Sequence, residues 1–476
     1  MRTCGSEYVM ESSDNNQKSI QNAALTVALI TNFTTPFSAS ALNIAVPHIG
    51  AEFHVSATSL SWIVLSYLLT TALLSIPFGR LADISGRKTM MKMGILLVCV
   101  ASALNIFSPN MVVFIILRVL QGVGGAMIFA TSAAILVEAY PPEKRGSVLG
   151  ISSAAVYTGQ ACGPVIGGMI THAFGWRGVF VALSGLSLIA FITAMLRFPK
   201  EARNNSGQKL NPHSIMLYVF SLGLLMYGLA TLSQNILSYV LFAAGFILIL
   251  VFIRHEKRTE VPVVKLQLFT ENTVFSLSNL AALFNFASIF AIVFLMSIYL
   301  QVGRGFTADV SGLILIAQPI VQTVLSPIAG RLSDRKSPAA IASIGMACCA
   351  ASLFMFVFLN GQTPISFILA GLVVAGVGVG LFASPNLSII MGSVSKEDYG
   401  VATSVLSTSR SFGQVLGMAI LTIIINAVIG SVPIASVASA SIVRDMHISF
   451  SIFACICVVG VLFSLKRGKA GVGEGA

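Results

Sequence analysis

Residues 146–171 read GSVLGISSAAVYTGQACGPVIGGMIT, a run without a single charged side chain. A run of this length predicts a membrane-spanning helix, because about 20 apolar residues cross a bilayer. Three of its glycines recur at every fourth residue, so they share one helix face and let a neighbouring backbone approach closely. Pro164 removes the hydrogen bond to the Gln160 carbonyl, which predicts a kink beside this stripe. The residues that define the pattern are Gly150, Gly159, Gly163, Pro164, Gly167 and Gly168.

The whole chain has the composition of a polytopic membrane protein. Of its 476 residues, 56% are hydrophobic and only 9% are charged, whereas soluble domains carry about a quarter charged residues. Apolar stretches long enough to cross a bilayer can be counted fourteen times between residues 25 and 465. We therefore predict an all-α polytopic membrane protein with 14 transmembrane helices.

The distribution of lysine and arginine predicts the orientation in the membrane. Most of the 28 basic residues lie in the tails and in the loops after even-numbered helices. Only Arg177, Arg304 and Arg444 fall in the opposite loops. Because cytoplasmic loops carry the excess of basic residues, we expect a multi-pass protein of the cell membrane with both termini in the cytoplasm. The net charge of +11 then reflects topology rather than nucleic-acid binding.

Two similar turns indicate an internal repeat. GRLAD at 79–83 follows predicted helix two, and GRLSD at 330–334 follows predicted helix ten. Two plain six-helix halves would place the second turn after helix eight, so two helices have been inserted between the halves. The predicted parts are a cytoplasmic tail at 1–24, a six-helix bundle at 25–199, a linker with helices 7 and 8 at 200–265, a second six-helix bundle at 266–466 and a cytoplasmic tail at 467–476.

The first of these turns, GRLADISGRK, has a residue pattern that indicates a role in gating. Its aspartate stands between cations and can pair with either of them, while a glycine after it allows a tight reversal. A cluster that only fixed topology would need neither this order of residues nor a second copy. We therefore predict a cytoplasmic latch. Its residues are Gly79, Asp83, Gly86, Arg87 and Asp334.

Two predicted helices carry an arginine at membrane depth. Arg118 shares one face of helix four with Gln121 and two glycines, and Arg410 stands on a similar face of helix thirteen. An arginine inside the membrane costs several kcal/mol and normally faces protein or water. This cost favours a functional role over snorkelling to the interface.

These features resemble the motifs of a known transporter family. GRLADISGRK is similar to the loop motif of the major facilitator superfamily, LRVLQGVGGA at 117–126 to its fourth-helix motif, and the helix-five pattern to the signature of its drug antiporters. The run from Ser407 to Ala419 also resembles the fourteen-helix exporters. The resemblance implies the major facilitator fold, with two six-helix bundles plus two inserted helices. It also implies a drug:proton antiporter that exports amphipathic small molecules by alternating access, with Arg118 linked to proton movement.

Helix one departs from the exporter pattern. In its stretch SASALNIAVP, the family normally has an aspartate where Ser38 stands. A serine does not titrate near neutral pH, so the usual site of competition between a proton and a cationic substrate is missing. No other acidic residue is predicted near the middle of the membrane. Asp83 and Glu138 lie near predicted cytoplasmic helix ends, and Asp309 and Asp445 lie near outer ends.

Three alternatives for coupling follow from this gap. In the first, Asp83 or Glu138 is buried and still carries protons. In the second, Arg118 and Arg410 make the cavity electropositive and favour anionic or zwitterionic metabolites. In the third, the protein is an uncoupled facilitator. A membrane sensor or scaffold of the same fold is the alternative from another class, and the short tails disfavour it because such proteins usually add a signalling domain.

Several polar residues lie at depths where they could line a substrate cavity among many Phe and Met side chains. Each of them singly is better explained by an interhelical hydrogen bond. They are Asn32, Ser38, Tyr157, Asn285, Gln318, Gln322 and Asn386.

Enzyme chemistry is not expected from this sequence. It shows no nucleotide-binding loop, no grouping of acid, base and nucleophile, and no metal-ligand spacing. We therefore expect no cofactor and no metal. The expected partners are a small-molecule substrate, the lipid bilayer and protons, and we expect the chain to act as a monomer.

Overall fold

The computed structural model is almost entirely helical. It describes residues 4–198, 211–231, 236–259, 266–333, 336–394, 399–430 and 439–473. The first half contains α1 (Cys4–Glu52), α2 (Ala57–Ser85), α3 (Arg87–Asn105), α4 (Met111–Ala139), α5 (Pro142–Phe174) and α6 (Trp176–Arg197). Two further helices follow, α7 (Pro212–Thr231) and α8 (Ile236–Glu256).

The second half begins after a one-turn helix at Gln267–Thr270. It contains α9 (Thr273–Ile298), α10 in two segments (Ala308–Leu315 and Ala317–Ser333), α11 (Pro338–Val357), α12 (Ile365–Gly392), α13 (Tyr399–Val428) and α14 (Ser439–Gly473). A π-helical turn at Tyr299–Gly303 extends α9. We call the end of the molecule with the α2–α3 turn the basic side, and the other end the opposite side.

These helices correspond one to one with the fourteen predicted apolar stretches. Within the described residues, 13 helices are long and apolar enough to cross a membrane. The remaining one is α5, which is 33 residues long and contains the uncharged run with the glycine pattern. The predicted all-α fold of two six-helix halves with two inserted helices is therefore confirmed.

Both terminal helices are longer than the predicted spans. α1 begins at Cys4, inside the predicted tail at 1–24, and α14 continues to Gly473, inside the predicted tail at 467–476. The extension of α14 has a local cause, because Arg467 is only 1% exposed and forms hydrogen bonds inside the second half. The helix therefore continues beyond residue 466, the predicted end of the second bundle.

Arg467 joins three helices of the second half. Its guanidinium donates to the Ser278 hydroxyl of α9 at 3.3 Å and to the Ser464 hydroxyl of α14 at 3.0 Å. It also donates to the Asn386 side-chain oxygen of α12. A charge-assisted bond to a buried amide is stronger than a neutral one, so this cluster fixes the basic end of the second bundle.

Replacing this anchor should destabilise the protein. We expect Arg467→Ala to lower the free energy of unfolding by about 1–3 kcal/mol, because it leaves buried acceptors without a donor. The neighbouring Lys466→Ala, which removes an exposed cation, is the matched control and should change stability by less than about 0.5 kcal/mol. Thermal unfolding in detergent measures both variants. Equal melting temperatures for the two would contradict the anchoring role.

The two halves repeat the same helix packing. The fifth helix of each half turns glycines toward the first helix of that half. A Cβ added at Gly163 of α5 would lie 2.4 Å from the Ser40 Cβ of α1, and one at Gly417 of α13 would lie 2.2 Å from the Ala287 carbonyl of α9. Between the halves the partners are exchanged, with α5 against α10 and α2 against α13. This exchange is what an internal repeat predicts.

The inserted helices lie outside the two bundles. α7 packs against α2 of the first half and α13 of the second. Its Tyr218 hydroxyl lies 3.4 Å from the Ala72 carbonyl, and its Tyr227 ring centroid lies 5.6 Å from that of Trp62. α8 packs closely behind α7, where a Cβ on Gly245 would lie 2.3 Å from the backbone nitrogen of Leu225. The pair thus covers one side of the seam between the halves.

Candidate functional site

The glycine stripe of α5 serves close contact with α1. Cβ atoms added at Gly159, Gly163 and Gly167 would lie 2.2, 2.4 and 2.5 Å from atoms of α1. Real Cβ atoms do not approach other atoms so closely, so only glycine allows this separation of the two helices. The close contact predicted from the four-residue spacing is present, and α1 is its partner.

The proline of the pattern is accommodated by a hydroxyl from α1. Pro164 lies inside α5 and cannot donate to the Gln160 carbonyl one turn earlier. The Ser40 hydroxyl donates to that same carbonyl at 3.1 Å. A carbonyl freed by proline in a membrane helix is commonly satisfied by a serine of a neighbouring helix. The proline therefore adds to the contact between α5 and α1.

A second set of glycines brings the two halves together. A Cβ on Gly168 of α5 would lie 2.5 Å from the Ala308 carbonyl oxygen of α10. A Cβ on Gly312 of α10 would lie 2.0 Å from the Pro164 carbonyl oxygen of α5. These contacts are between main chains, so no side-chain movement could relieve them. The α5–α10 contact is a tight seam on the opposite side of the molecule.

The first helix of each half also crosses this seam. The Ser297 hydroxyl of α9 donates to the Asn43 carbonyl of α1 at 2.7 Å. The Gln301 amide donates to the neighbouring Ile44 carbonyl at 3.0 Å. Gln301 lies in the π-helical turn, which changes the direction of the side chains at the end of α9. Hydrogen bonds and glycine contacts together hold the opposite side closed.

Arg118 carries a deeply buried charge in the first half. Its side chain is 1% exposed. The guanidinium donates through Nε to the Ile63 carbonyl at 3.1 Å and through Nη1 to the Gln121 side-chain oxygen at 2.7 Å. Gln121 in turn donates to the Ser102 hydroxyl at 2.6 Å. The arginine and glutamine that the sequence places on one helix face therefore form one chain of hydrogen bonds across α2, α4 and α3.

An aromatic ring supports this arginine. The Tyr67 ring centroid lies 4.7 Å from the Arg118 Cζ atom, within the range of a cation–π contact. The glycines of the fourth-helix motif make room for it, because a Cβ on Gly125 would lie 2.7 Å from the Tyr67 hydroxyl. Motif spacing alone does not place Tyr67 here, since α2 and α4 meet only in the folded chain.

Arg118 lacks a carboxylate partner among the residues that the structure describes. Its nearest charge-stabilising groups are a carbonyl, an amide and a ring. Its Nη2 atom is buried and has no hydrogen-bond acceptor within the described part of the chain. Within the described part of the chain, hydrogen-bond acceptors and an aromatic ring stabilise this positive charge.

A small cavity, lined by hydroxyls and apolar side chains, lies next to this network inside the first half. Its wall includes Ser38, Thr34 and Thr35 of α1, Tyr67 of α2 and Gln121 of α4. The space holds about one water molecule. Ser38 is 8% exposed and faces this cavity. It stands at the position where the exporters that this sequence resembles carry an acid. Hydroxyls therefore line the place where a carboxylate would otherwise stand.

Arg410 has a looser environment than Arg118. Its Cζ atom lies 4.9 Å from the ring centroid of Phe286 on α9. Tyr157 of α5 is close enough to interact with it electrostatically. Arg410 and Tyr157 come from different halves, so the structure brings together a predicted cavity charge and a predicted lining residue.

The loop motif on the basic side is partly visible. The predicted tight reversal is confirmed, because Gly86 has a φ of 102° and is the only residue between α2 and α3. Arg87 forms an ion pair with Glu138 of α4 at 3.6 Å. The Glu138 side chain is 51% exposed, so it lies at the surface and not in a cavity. The Asp83 side chain and all of Asp334 lie outside the described residues.

The remaining lining residues contact other helices of their own half. Asn32 bonds to Ser152 at 2.7 Å, and Asn285 lies 3.5 Å from the Cys349 sulfur, so both connect helices within one half. Asn386 holds Arg467, as described above. Gln318 and Gln322 of α10 are buried beside α12.

The sequence matches a known family over most of its length. The Major Facilitator Superfamily pattern covers residues 28–262 and 278–473. The chain belongs to the Major Facilitator Superfamily. It is therefore a multi-pass membrane transporter for small molecules. The loop motif and the two arginine motifs that suggested this family lie within the matched residues.

Relatives and solved structures agree with this assignment. This major facilitator protein is 27% identical to the riboflavin transporter RibZ of Clostridioides difficile over 93% of its own length and 96% of the relative. It is 28% identical to the multidrug resistance protein Stp of Mycobacterium tuberculosis, covering 80% and 71% of the two chains. A bacterial homologue of the human lysosomal transporter Spinster has the same fold, with a TM-score of 0.68, 14% identity and coverage of 95% and 97%.

Proposed function

We propose that this transporter is a fourteen-helix drug:proton antiporter that exports amphipathic, drug-like small molecules across the cell membrane. It acts as a monomer with both termini in the cytoplasm. The observation that carries this proposal is the glycine contact of α5 with both α1 and α10. The contact with α1 lies within the first half, and the contact with α10 joins the two halves through main-chain packing. Relatives named for multidrug resistance and for methylenomycin A resistance support drug-like substrates.

The opposite side is closed, and from this we infer the conformational state of the transporter. With the basic side in the cytoplasm, a seam closed on the opposite side corresponds to an inward-facing transporter. The Spinster homologue with the same fold is described as inward-facing. In the other state, Gly79, Asp83, Gly86, Arg87 and Asp334 would latch the basic side. The proposed moving bodies are residues 25–199 and 266–466, with 200–265 as the linker.

A second candidate function differs in substrate charge. Arg118 is buried without a carboxylate partner among the described residues, and Ser38 replaces the acid of helix one. A cationic substrate would meet a positive field in this half, whereas an anionic or zwitterionic metabolite would be attracted. This observation favours export of anionic compounds, with protons moving elsewhere or not at all.

Transport in proteoliposomes separates these functions. The purified chain is reconstituted, and movement of one cationic and one anionic amphiphile is measured with and without an imposed proton gradient. Antiport of drug-like cations predicts that the gradient accelerates cation movement about tenfold or more and allows accumulation against a gradient. The second candidate predicts faster movement of the anion. Movement of neither compound, in liposomes where the protein is shown to be folded, contradicts the proposed function.

A further inference from the structure

The seam carries an ionisable pair on the opposite side. Nδ1 of His172, in the last turn of α5, lies 3.6 Å from Oδ1 of Asp309, in the first turn of α10. α5 belongs to the first half and α10 to the second. The pair therefore spans the surface that must separate when the opposite side opens.

The glycine contact fixes the distance between these two side chains. Gly168 lies one turn before His172, and a Cβ there would lie 2.5 Å from the Ala308 carbonyl and 3.2 Å from the Asp309 Cα. His172 and Asp309 thus meet only when the main chains are in contact. Their separation reports directly whether the seam is closed.

The carboxylate has an oxygen available for this contact. Oδ1 of Asp309 is buried and has no hydrogen-bond partner among the described residues. The other interactions of the carboxyl group are with the Thr307 hydroxyl and with the backbone of its own turn. A buried acceptor without a donor is costly, and a protonated imidazole would supply a charge-assisted donor. Protonation of His172 therefore strengthens the seam.

Other ionisable groups also lie on this side of the molecule. His48 of α1 is near enough to His172 to repel it when both are protonated, and both belong to the same half. Glu52 of α1 is paired with Arg177 of α6 at 2.6 Å. On the side of the second half, Arg304 donates to the Thr363 carbonyl at 2.6 Å. None of these interactions replaces the attraction between the two halves.

We propose that His172 and Asp309 form a pH-sensitive latch. The latch closes when His172 binds a proton from the solvent on the opposite side. The inference rests on the alternating access proposed above. Histidine gains its charge below a pH of about 6.5, and aspartate stays ionised well below that value. Because only the protonated imidazole is charged, the attraction is stronger at acidic pH than at alkaline pH. With the opposite side outside the cell, an acidic exterior favours the state that is open to the cytoplasm.

Hydrogen exchange of the full chain in lipid nanodiscs tests the latch. The readout is the exchange rate of amides in 308–315, compared between variants at the same pH. At pH 5.5, His172→Gln should raise this rate about two- to fivefold, the range expected for a partly exposed ion pair. At pH 8 it should leave the rate unchanged. In an Asp309→Asn background, His172→Gln should have no further effect at either pH.

His54→Asn is the matched control. His54 is an exposed histidine on the same side of the molecule, and asparagine tolerates its φ of 51°. It should change exchange at neither pH. The latch is overturned if His172→Gln exchanges amides in 308–315 at the wild-type rate at pH 5.5. It is also overturned if the rate rises equally at both pH values. Export measured on the same samples separates the two proposals. If export is present but the pH-dependent exchange effect is absent, only the latch is overturned. If the exchange effect is present but export is absent, only the proposed function is overturned.

Discussion

Gly312→Ala should reduce transport about fivefold or more. The added methyl would lie 2.0 Å from the Pro164 carbonyl oxygen, and both atoms belong to rigid main chains. Overpacking of this kind costs about 1–3 kcal/mol, which corresponds to roughly a 5- to 150-fold shift in the closing of the seam. The initial rate of substrate movement in proteoliposomes, normalised to the amount of folded protein, measures the effect.

Gly185→Ala provides the control for the same chemical change. Gly185 lies in α6, and a Cβ there meets no atom within 4 Å. This variant should transport at the wild-type rate. Gly168→Ala, which would approach the Ala308 carbonyl to 2.5 Å, should behave like Gly312→Ala. Equal rates for Gly312→Ala and Gly185→Ala would show that the α5–α10 contact is not part of the transport cycle.

Gln121→Glu should change the charge preference of the transporter. The new carboxylate would stand where the amide oxygen now lies, 2.7 Å from Arg118 Nη1, and would neutralise the charge. The loss of one unit charge near a substrate is worth about 1–2 kcal/mol at an effective dielectric constant of about 20. We therefore expect the rate for an anionic amphiphile to fall about tenfold relative to that for a cationic one.

Gln121→Leu separates charge from hydrogen bonding in this test. It removes the same hydrogen bond but leaves the positive charge of Arg118 in place. Its anion-to-cation ratio should stay close to that of the wild-type protein, even if its overall rate falls. A ratio that changes equally in the leucine and glutamate variants would mean that Arg118 does not act on the substrate through its charge.

The sequence allowed the fold to be predicted because its signals are local. Apolar runs give the helices, and the four-residue spacing of glycines in α5 gives a face for close contact. Spacing cannot show which helix meets that face. In the structure Gly163 contacts α1 and Gly168 contacts α10. One motif therefore makes contacts both inside a bundle and across the seam.

The candidate site was only partly predictable for the same reason. Arg118 and Gln121 are one turn apart, and their contact follows from helix geometry. Tyr67 lies far away in the sequence, and its place under Arg118 depends on how α2 packs on α4. Arg467 was assigned to a tail because basic residues near a helix end usually face water. Its partners Ser278 and Asn386 come from distant helices, which the charge pattern alone does not reveal.

The inserted helix α7 has a mechanical consequence. It touches α2 and α13, which belong to different halves, through contacts such as that between Tyr227 and Trp62. Under the proposed alternating access, a helix that contacts both halves limits how far they can separate along that edge. In the proposed cycle, the separation of the halves is then restricted at their outer rim as well as at the α5–α10 seam.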